Sequence, residues 1–230
     1  MSPKHVASCS FGKDSIATIL LALEHNEPLD EAVYCEVMFD NSTSGEVPEH
    51  QAFIYQTAIP TLEKLGVPDR VLRSEKTYTP VYMGKVTRGP KKGMIRSFPM
   101  CGKCYVQRDC KMHPIRQYQK TLPSDTVQYI GIAKDEPQRL ARLGGNPVPL
   151  LEKYGYTEDD AKQLCKQAGL LSPVYEFTDR GGCWFCPNAK LSELRHLYDH
   201  HPDLWQKMMR LQIVPGKVTE KFNRNQTFAD

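Results

Sequence analysis

The chain has 230 residues, 40% of them hydrophobic and 25% charged, with a formal net charge of +3. Such a profile is that of a globular protein with a sizeable core and excludes collagen-like, low-complexity and disordered classes. The first apolar run, Ile16 to Leu23, is too short to span a membrane, and Met1 to Ser10 carries no secretory pattern, so the sequence reads as a cytoplasmic protein with no membrane partner.

In chain order, His5 to Cys9 reads as a short strand. The loop Ser10-Phe11-Gly12-Lys13-Asp14-Ser15 follows, then a helix over Ile16 to His25 that is apolar on most of its circumference. A strand–loop–helix unit offers an anion the unpaired amides and the positive dipole end of the helix. Gly12 allows close backbone approach, Lys13 adds a mobile charge, Ser10 and Ser15 add hydroxyls, and Asp14 and Ser15 suit a helix N-terminus. Ala32 to Phe39, broken only by Glu36 and ended by Asp40, reads as a strand covered on both faces. Pro48 opens a helix that runs to Gly66 and is bent or split at Pro60.

Val71-Leu72 marks a third strand and Thr126 to Ile132 a fourth. The alternation predicts an α/β fold, a parallel twisted sheet with flanking helices. Ligands of such sheets bind beyond the carboxyl ends of strands, where Ser10 to Ser15, Asp40 and Gly131 fall. After Gly144-Gly145 the chain turns helical. Thr157 and Asp160 form a capping box for a helix over Glu158 to Ala168, Gly169 stops it, and Cys165 shares its apolar face. The expected organisation is a nucleotide-binding α/β domain over 1–145, with a helical, cysteine-containing segment over 146–230 packed on the same core. His200-His201 reads as a helix end, and Met208-Met209 as part of an amphipathic helix.

Of eight cysteines, Cys101, Cys104 and Cys110 form one cluster and Cys183 with Cys186 another. The Cys-x-x-Cys spacing lets two thiolates meet one tetrahedral metal or two corners of a cluster. Cys104, Cys183 and Cys186 are the favoured ligands, and Cys101 or Cys110 completes the set. Zinc and iron–sulfur use the same ligands. Trp184 and Phe185 would shield a centre from solvent, which leans towards iron–sulfur with zinc as the alternative. Between Lys85 and Lys120 ten Lys or Arg face the single acid Asp109, a charge that suits a nucleotide or a nucleic-acid backbone.

The order Ser-x-Gly-x-Asp-Ser after a strand resembles the PP-loop of the adenine nucleotide alpha hydrolase superfamily, whose members bind ATP and usually cleave it between the α and β phosphates. Lys111-Met112-His113-Pro114 and Gly131-Ile132-Ala133-Lys134-Asp135-Glu136-Pro137-Gln138-Arg139 resemble two further landmarks, those of the phosphoadenosine phosphosulfate (PAPS) reductase-like family. Those landmarks are Lys-x-x-Pro and Gly-Ile-Arg-x-Asp/Glu-Glu-Ser-x-Arg, and here Ala133 stands at the usual Arg and Pro137 at the usual Ser. The resemblance runs from His5 to about Pro187.

It implies an enzyme that binds ATP and Mg²⁺ on Ser10 to Ser15, Asp40 and Gly131, with Lys13, Asp14, Lys111 and Arg139 as catalytic residues. Lys13, Lys111 and Arg139 would stabilise phosphate charge, and Asp14 or Asp40 would hold magnesium. Adenylation of a substrate would then serve sulfur transfer or thiolation, with several [4Fe-4S] members in the family and a partner protein supplying sulfur or electrons. Two other readings stand beside this one. The first is an adenylyl or phosphoadenylyl sulfate reductase, which would need a nucleophilic cysteine that is not found after Cys186. The second is a non-catalytic nucleotide- or nucleic-acid-binding module with a structural metal.

Overall fold

The computed structural model describes residues 3–100, 104–223 and 225–229. In chain order its elements are β1 (His5–Cys9), α1 (Lys13–Glu24), β2 (Glu31–Glu36), α2 (Pro48–Phe53), α3 (Ile59–Lys64) and β3 (Asp69–Arg73). Then come α4 (Tyr78–Met83), α5 (His113–Gln119), β4 (Val127–Tyr129), α6 (Pro137–Leu140), β5 (Pro147–Val148), α7 (Leu150–Lys153), α8 (Glu158–Gln167), α9 (Leu191–His200) and α10 (Pro202–Gln212). No helix among the described residues is long and apolar enough to cross a membrane.

The fold is α/β. Its five strands lie in the order β3-β2-β1-β4-β5, and β1 pairs in parallel with β2 and β4, as β4 does with β5. The chain starts at the centre, moves outward through β2 to β3, then crosses to β4 and β5. Strand order therefore reverses between β1 and β4, and in such sheets the crevice beyond the carboxyl ends at the reversal is where ligands sit.

Two compact units interleave in sequence, one of Met1–Cys35, Pro48–Leu72 and Ile115–Tyr175, the other of Glu36–Val47, Arg73–Pro114 and Glu176–Asp230. A linear cut at 145 does not follow them, because α8 packs on α1 and so carries the segment before Tyr175 into the first unit. The first core gathers Phe11, Ile16, Ile19, Tyr34, Leu62 and Leu150, and the second is aromatic, with Phe39, Tyr78, Tyr82, Phe98, Trp184 and Phe222. Burying each such side chain contributes about 1.5–3 kcal/mol, which makes these clusters the main source of stability in each unit.

Several boundaries differ from the sequence reading for identifiable reasons. β2 ends at Glu36, not Phe39, because Val37 and Phe39 are apolar for the second core and not for the sheet. The helix from Pro48 breaks in a π-turn over Ile54–Ala58, before Pro60, which places that proline in the first turn of α3, where a missing N–H costs nothing. β4 stops at Tyr129, and β5 is too short to carry any periodic pattern. The capping box of α8 forms as its spacing indicates, with Asp160 N–H on Thr157 Oγ1 at 3.2 Å and Thr157 N–H on Asp160 Oδ2 at 2.9 Å. Gly169 follows it at φ +67°.

Candidate nucleotide loop and cysteine site

In the first unit, β1 runs into the loop through Ser10, and Phe11 takes the left-handed φ of +55°. Its fully buried ring, edge-on to Tyr34 at 5.2 Å, holds that conformation. Ser15 closes the turn. Its hydroxyl accepts Ser10 N–H at 3.1 Å and donates to Gly12 O at 2.9 Å, while the N–H groups of Ser15 and Ile16 reach the same carbonyl at 3.1 Å. The expected cap role of Asp14 and Ser15 is not what forms. Gly12 is the N-cap and makes no side-chain cap, while Asp14 sits in the first helical turn.

Behind the loop, buried His50 lies 2.8 Å from Ser172 Oγ through Nδ1 and 3.3 Å from Ser10 O through Nε2. A carbonyl only accepts, so in the neutral ring Nε2 carries the proton and Nδ1 accepts from Ser172. Tyr175 completes the enclosure: its hydroxyl accepts Lys13 N–H at 2.9 Å, the first amide of α1, and a Cβ added at Gly12 would stand 3.1 Å from it.

The charges here neutralise one another. Lys13, 8% exposed, donates to Asp14 Oδ1 at 2.8 Å and Glu158 Oε1 at 3.0 Å. Burial works against its charge, but the two carboxylates outweigh burial and hold Lys13 above its ordinary value. Asp14 is raised, by burial first and by the carboxylates of Glu158 and Glu136, against the pull of Lys13. Cys165 on α8 donates to Lys13 O at 3.1 Å, and burial pushes its thiol up to about 12, as fits a core residue and not a nucleophile.

The β4 end lies directly on this loop. A Cβ at Gly131 would come within 2.7 Å of Asp14 C, 2.8 Å of Asp14 O and 2.9 Å of Ser15 N, so only glycine lets the backbones approach this closely. Arg139 grips Glu136 with both Nη1–O contacts at 2.6 and 2.8 Å and reaches Gly131 O at 3.5 Å. Ser10 to Ser15, Gly131 and Arg139 are thus brought together at the strand-order reversal. Tyr175, Glu158, His50 and Ser172 join them without any sequence signal, since they are remote in the chain. Glu136, three residues before Arg139, was within reach of a spacing argument.

In the second unit, the residues from Cys183 to Cys186 are pinned to the strand-like segment 44–46. Cys183 forms an antiparallel bridge with Glu46, Trp184 N–H reaches Gly45 O at 3.0 Å, and Trp184 Nε1–H reaches Ser44 O at 2.8 Å. A turn closes the pair, with Cys186 N–H on Cys183 O at 3.0 Å. Cys104 Sγ accepts Gln107 N–H at 3.3 Å, and the Arg180 guanidinium is within electrostatic reach of Cys186. Burial pushes the Cys183 thiol up, Glu46, Cys186 and Cys104 add to the rise, and Lys111 opposes it. Cys110 is fully buried in the aromatic core, and Cys101 lies outside the described residues. Among the described residues no three of these thiols have sulfurs all within 4.8 Å of one another.

The remaining expected residues also belong to the second unit. Lys111 sits in a π-turn, within electrostatic reach of Cys183. Asp40 is engaged within its own unit, its Oδ2 with Lys207 Nζ at 2.7 Å and its Oδ1 with the N–H groups of Ser42 at 2.9 Å and Thr43 at 2.7 Å. Burial alone would raise Asp40, but Lys207 and those amides hold the carboxyl well below its ordinary value.

No protein-family model matches the sequence, and no curated protein matches it. The chain is similar to the solved structure of the U34-tRNA thiolase NcsA from Methanococcus maripaludis with its [4Fe-4S] cluster, at 17% identity and a TM-score of 0.47, over 94% of this chain and 74% of that one. At that identity and score the likeness bears on no individual residue and no activity of this chain.

Proposed function

We propose that the chain is an ATP-dependent enzyme of the PP-loop type that binds the nucleotide on Ser10 to Ser15 with Mg²⁺, and cleaves it between the α and β phosphates to adenylate a substrate. The reading rests on the contact of Gly131 with Asp14 and Ser15, which closes the carboxyl end of β4 over a helix N-terminus at the reversal of strand order. Lys13 and Arg139 supply the cations for phosphate oxygens once they leave their carboxylates, and Asp14 supplies an oxygen for magnesium. Lys111, Asp40 and the basic stretch 85–120 complete the proposal as contributors to phosphate, metal and a nucleotide or nucleic-acid acceptor.

Cys104, Cys183 and Cys186, with Cys101 or Cys110, are the residues that would hold an iron–sulfur cluster, or zinc in its place. Two features support the fit: the Gln107 amide that donates to Cys104, and the local turn that brings Cys183 and Cys186 together. Such a cluster supplies a site for sulfur or electron transfer, which is where a donor protein would enter.

Calorimetric titration with ATP, run with and without Mg²⁺, tests the nucleotide assignment. Ser15→Ala removes the hydroxyl that closes the loop and is expected to weaken binding about tenfold under both conditions. Asp14→Asn is expected to weaken it only when Mg²⁺ is present. Unchanged affinity in both variants removes the assignment.

A further inference from the structure

Among the described residues, the buried side-chain polar atoms without a hydrogen-bond partner are the hydroxyls of Tyr78, Ser97 and Tyr105, all in the second unit. The same aromatic cluster shows how a buried phenol is ordinarily accommodated, since Tyr82 donates to Leu211 O at 2.8 Å. A buried hydroxyl with no acceptor costs free energy that its replacement by hydrogen would recover. Tyr78 is fully buried, so its hydroxyl is not exposed to bulk solvent.

Both tyrosines are tied to the cysteine segments. The Tyr78 ring stacks on Phe185, which lies between Cys183 and Cys186, at 4.1 Å and 14°. Tyr105 is the neighbour of Cys104 in sequence. The Tyr78 hydroxyl is in electrostatic reach of Tyr105, Cys104 and Cys183, and that of Tyr105 in reach of Cys104. The frame is stiff: Tyr78 N–H holds Met38 O at 2.8 Å, and the segment carrying Phe185 is locked to Gly45, where an added Cβ would meet Val37 O at 2.6 Å and the Phe185 ring at 3.1 Å. A phenol hydroxyl carries one O–H donor, so each of these buried groups has a hydrogen bond to give.

We propose that Tyr78 and Tyr105 are positioning residues whose hydroxyls donate hydrogen bonds to the sulfur atoms of a metal–thiolate centre held by Cys104, Cys183 and Cys186. The inference rests on the metal reading above. Thiolate and sulfide sulfurs carry the negative charge that such donors complement, and partners of this kind set ligand orientation and the strength with which metal is held. They join the Gln107 amide, which already donates to Cys104, while the Arg180 charge lies within electrostatic reach of Cys186.

The test uses the full chain, reduced and anaerobic, titrated with cobalt(II), whose thiolate charge-transfer absorption reports sulfur ligation whether the resident metal is iron or zinc. Wild type is expected to take up cobalt(II) and Cys183→Ser to lose it. Tyr78→Phe and Tyr105→Phe are expected to keep the stoichiometry and to bind about tenfold more weakly in competition with a chelator. In the metal-free protein the same two substitutions should leave the thermal midpoint unchanged or raise it, because each removes an unsatisfied hydroxyl. If cobalt binds and both Phe variants match wild type, the tyrosine assignment is wrong while the metal reading stands. A lowered midpoint in the metal-free variants also overturns the assignment, since it reveals a partner within the protein. Undiminished cobalt binding by Cys183→Ser, or none by wild type, removes the metal reading and this inference with it.

Discussion

At the Ser10 to Ser15 loop, two of the cations that the sequence offers to phosphate already hold carboxylates of their own chain, Lys13 with Asp14 and Glu158, Arg139 with Glu136. The first amide of α1 is likewise occupied, by Tyr175. Around the cysteines the reverse holds, and the hydroxyls of Tyr78 and Tyr105 are buried with no partner among the described residues. The contrast separates two ways of preparing a site. A ligand of the loop must exchange itself for internal partners, so its net gain is the difference between two sets of bonds. A ligand of the cysteine segment instead satisfies groups that are already desolvated, and its gain includes the removal of a standing penalty.

The largest effect that would break this contrast comes from the two glycines that fix each site. Gly131→Ala drives a Cβ against the Asp14–Ser15 backbone, which cannot yield as a side-chain tip would, and Gly45→Ala does the same against Val37 O. Each is expected to cost about 3 kcal/mol in denaturant unfolding. Gly131→Ala should abolish ATP binding and retain cobalt(II), and Gly45→Ala should do the opposite. Loss of both ligands in either variant would show that the two sites are not separately built.

A middle-sized effect follows from two aspartates with opposite shifts. Asp40 is lowered, so the stability it contributes is present above the unfolded carboxylate value of about 3.9 and is lost as pH falls through the folded value. Asp14 is raised, so its contribution is fullest below the unfolded value and is lost as pH rises through the folded one. Trp184 and Trp205 both lie in the second unit, so tryptophan fluorescence follows Asp40 and its partner Lys207. Asp40→Asn should remove about 1.5 kcal/mol at neutral pH and flatten the acid limb of a fluorescence-monitored urea series. An acid limb as steep as in wild type would assign it to other carboxylates.

What the sequence made legible was local. The strand–loop–helix order, the capping box of Thr157 and Asp160, the stop at Gly169 and the burial of Cys165 all follow from residues a few positions apart, and the structure forms each. The parts that were not legible come from elsewhere in the chain. Glu158 and Tyr175 reach Lys13 across 145 and 162 residues, and no periodicity announces such a pairing. The apolar run through Phe39 was read as one strand because composition records burial but not which core does the burying. No sequence pattern singles out Tyr78 and Tyr105, and what sets them apart is that their buried hydroxyls have no partner among the described residues.

The smallest effect concerns Tyr175, and it separates exchange from simple addition at the loop. Its hydroxyl sits on Lys13 N–H at 2.9 Å, where a phosphate oxygen would receive the same donor at the helix N-terminus. Binding must therefore break that hydrogen bond before making its own. Tyr175→Phe keeps the ring and deletes only the acceptor. Without ligand, the amide then loses a bond worth about 1 kcal/mol, and the variant should be that much less stable in denaturant. With ATP, the displaced partner no longer competes, so affinity should rise roughly fivefold for the same 1 kcal/mol. The two shifts are linked, because the bond that wild type gives up on binding is the bond that the variant never has. A variant that is less stable yet binds ATP no better would show that Tyr175 keeps its hold on Lys13 in the bound state, and phosphate would then have to use the amides beyond Lys13.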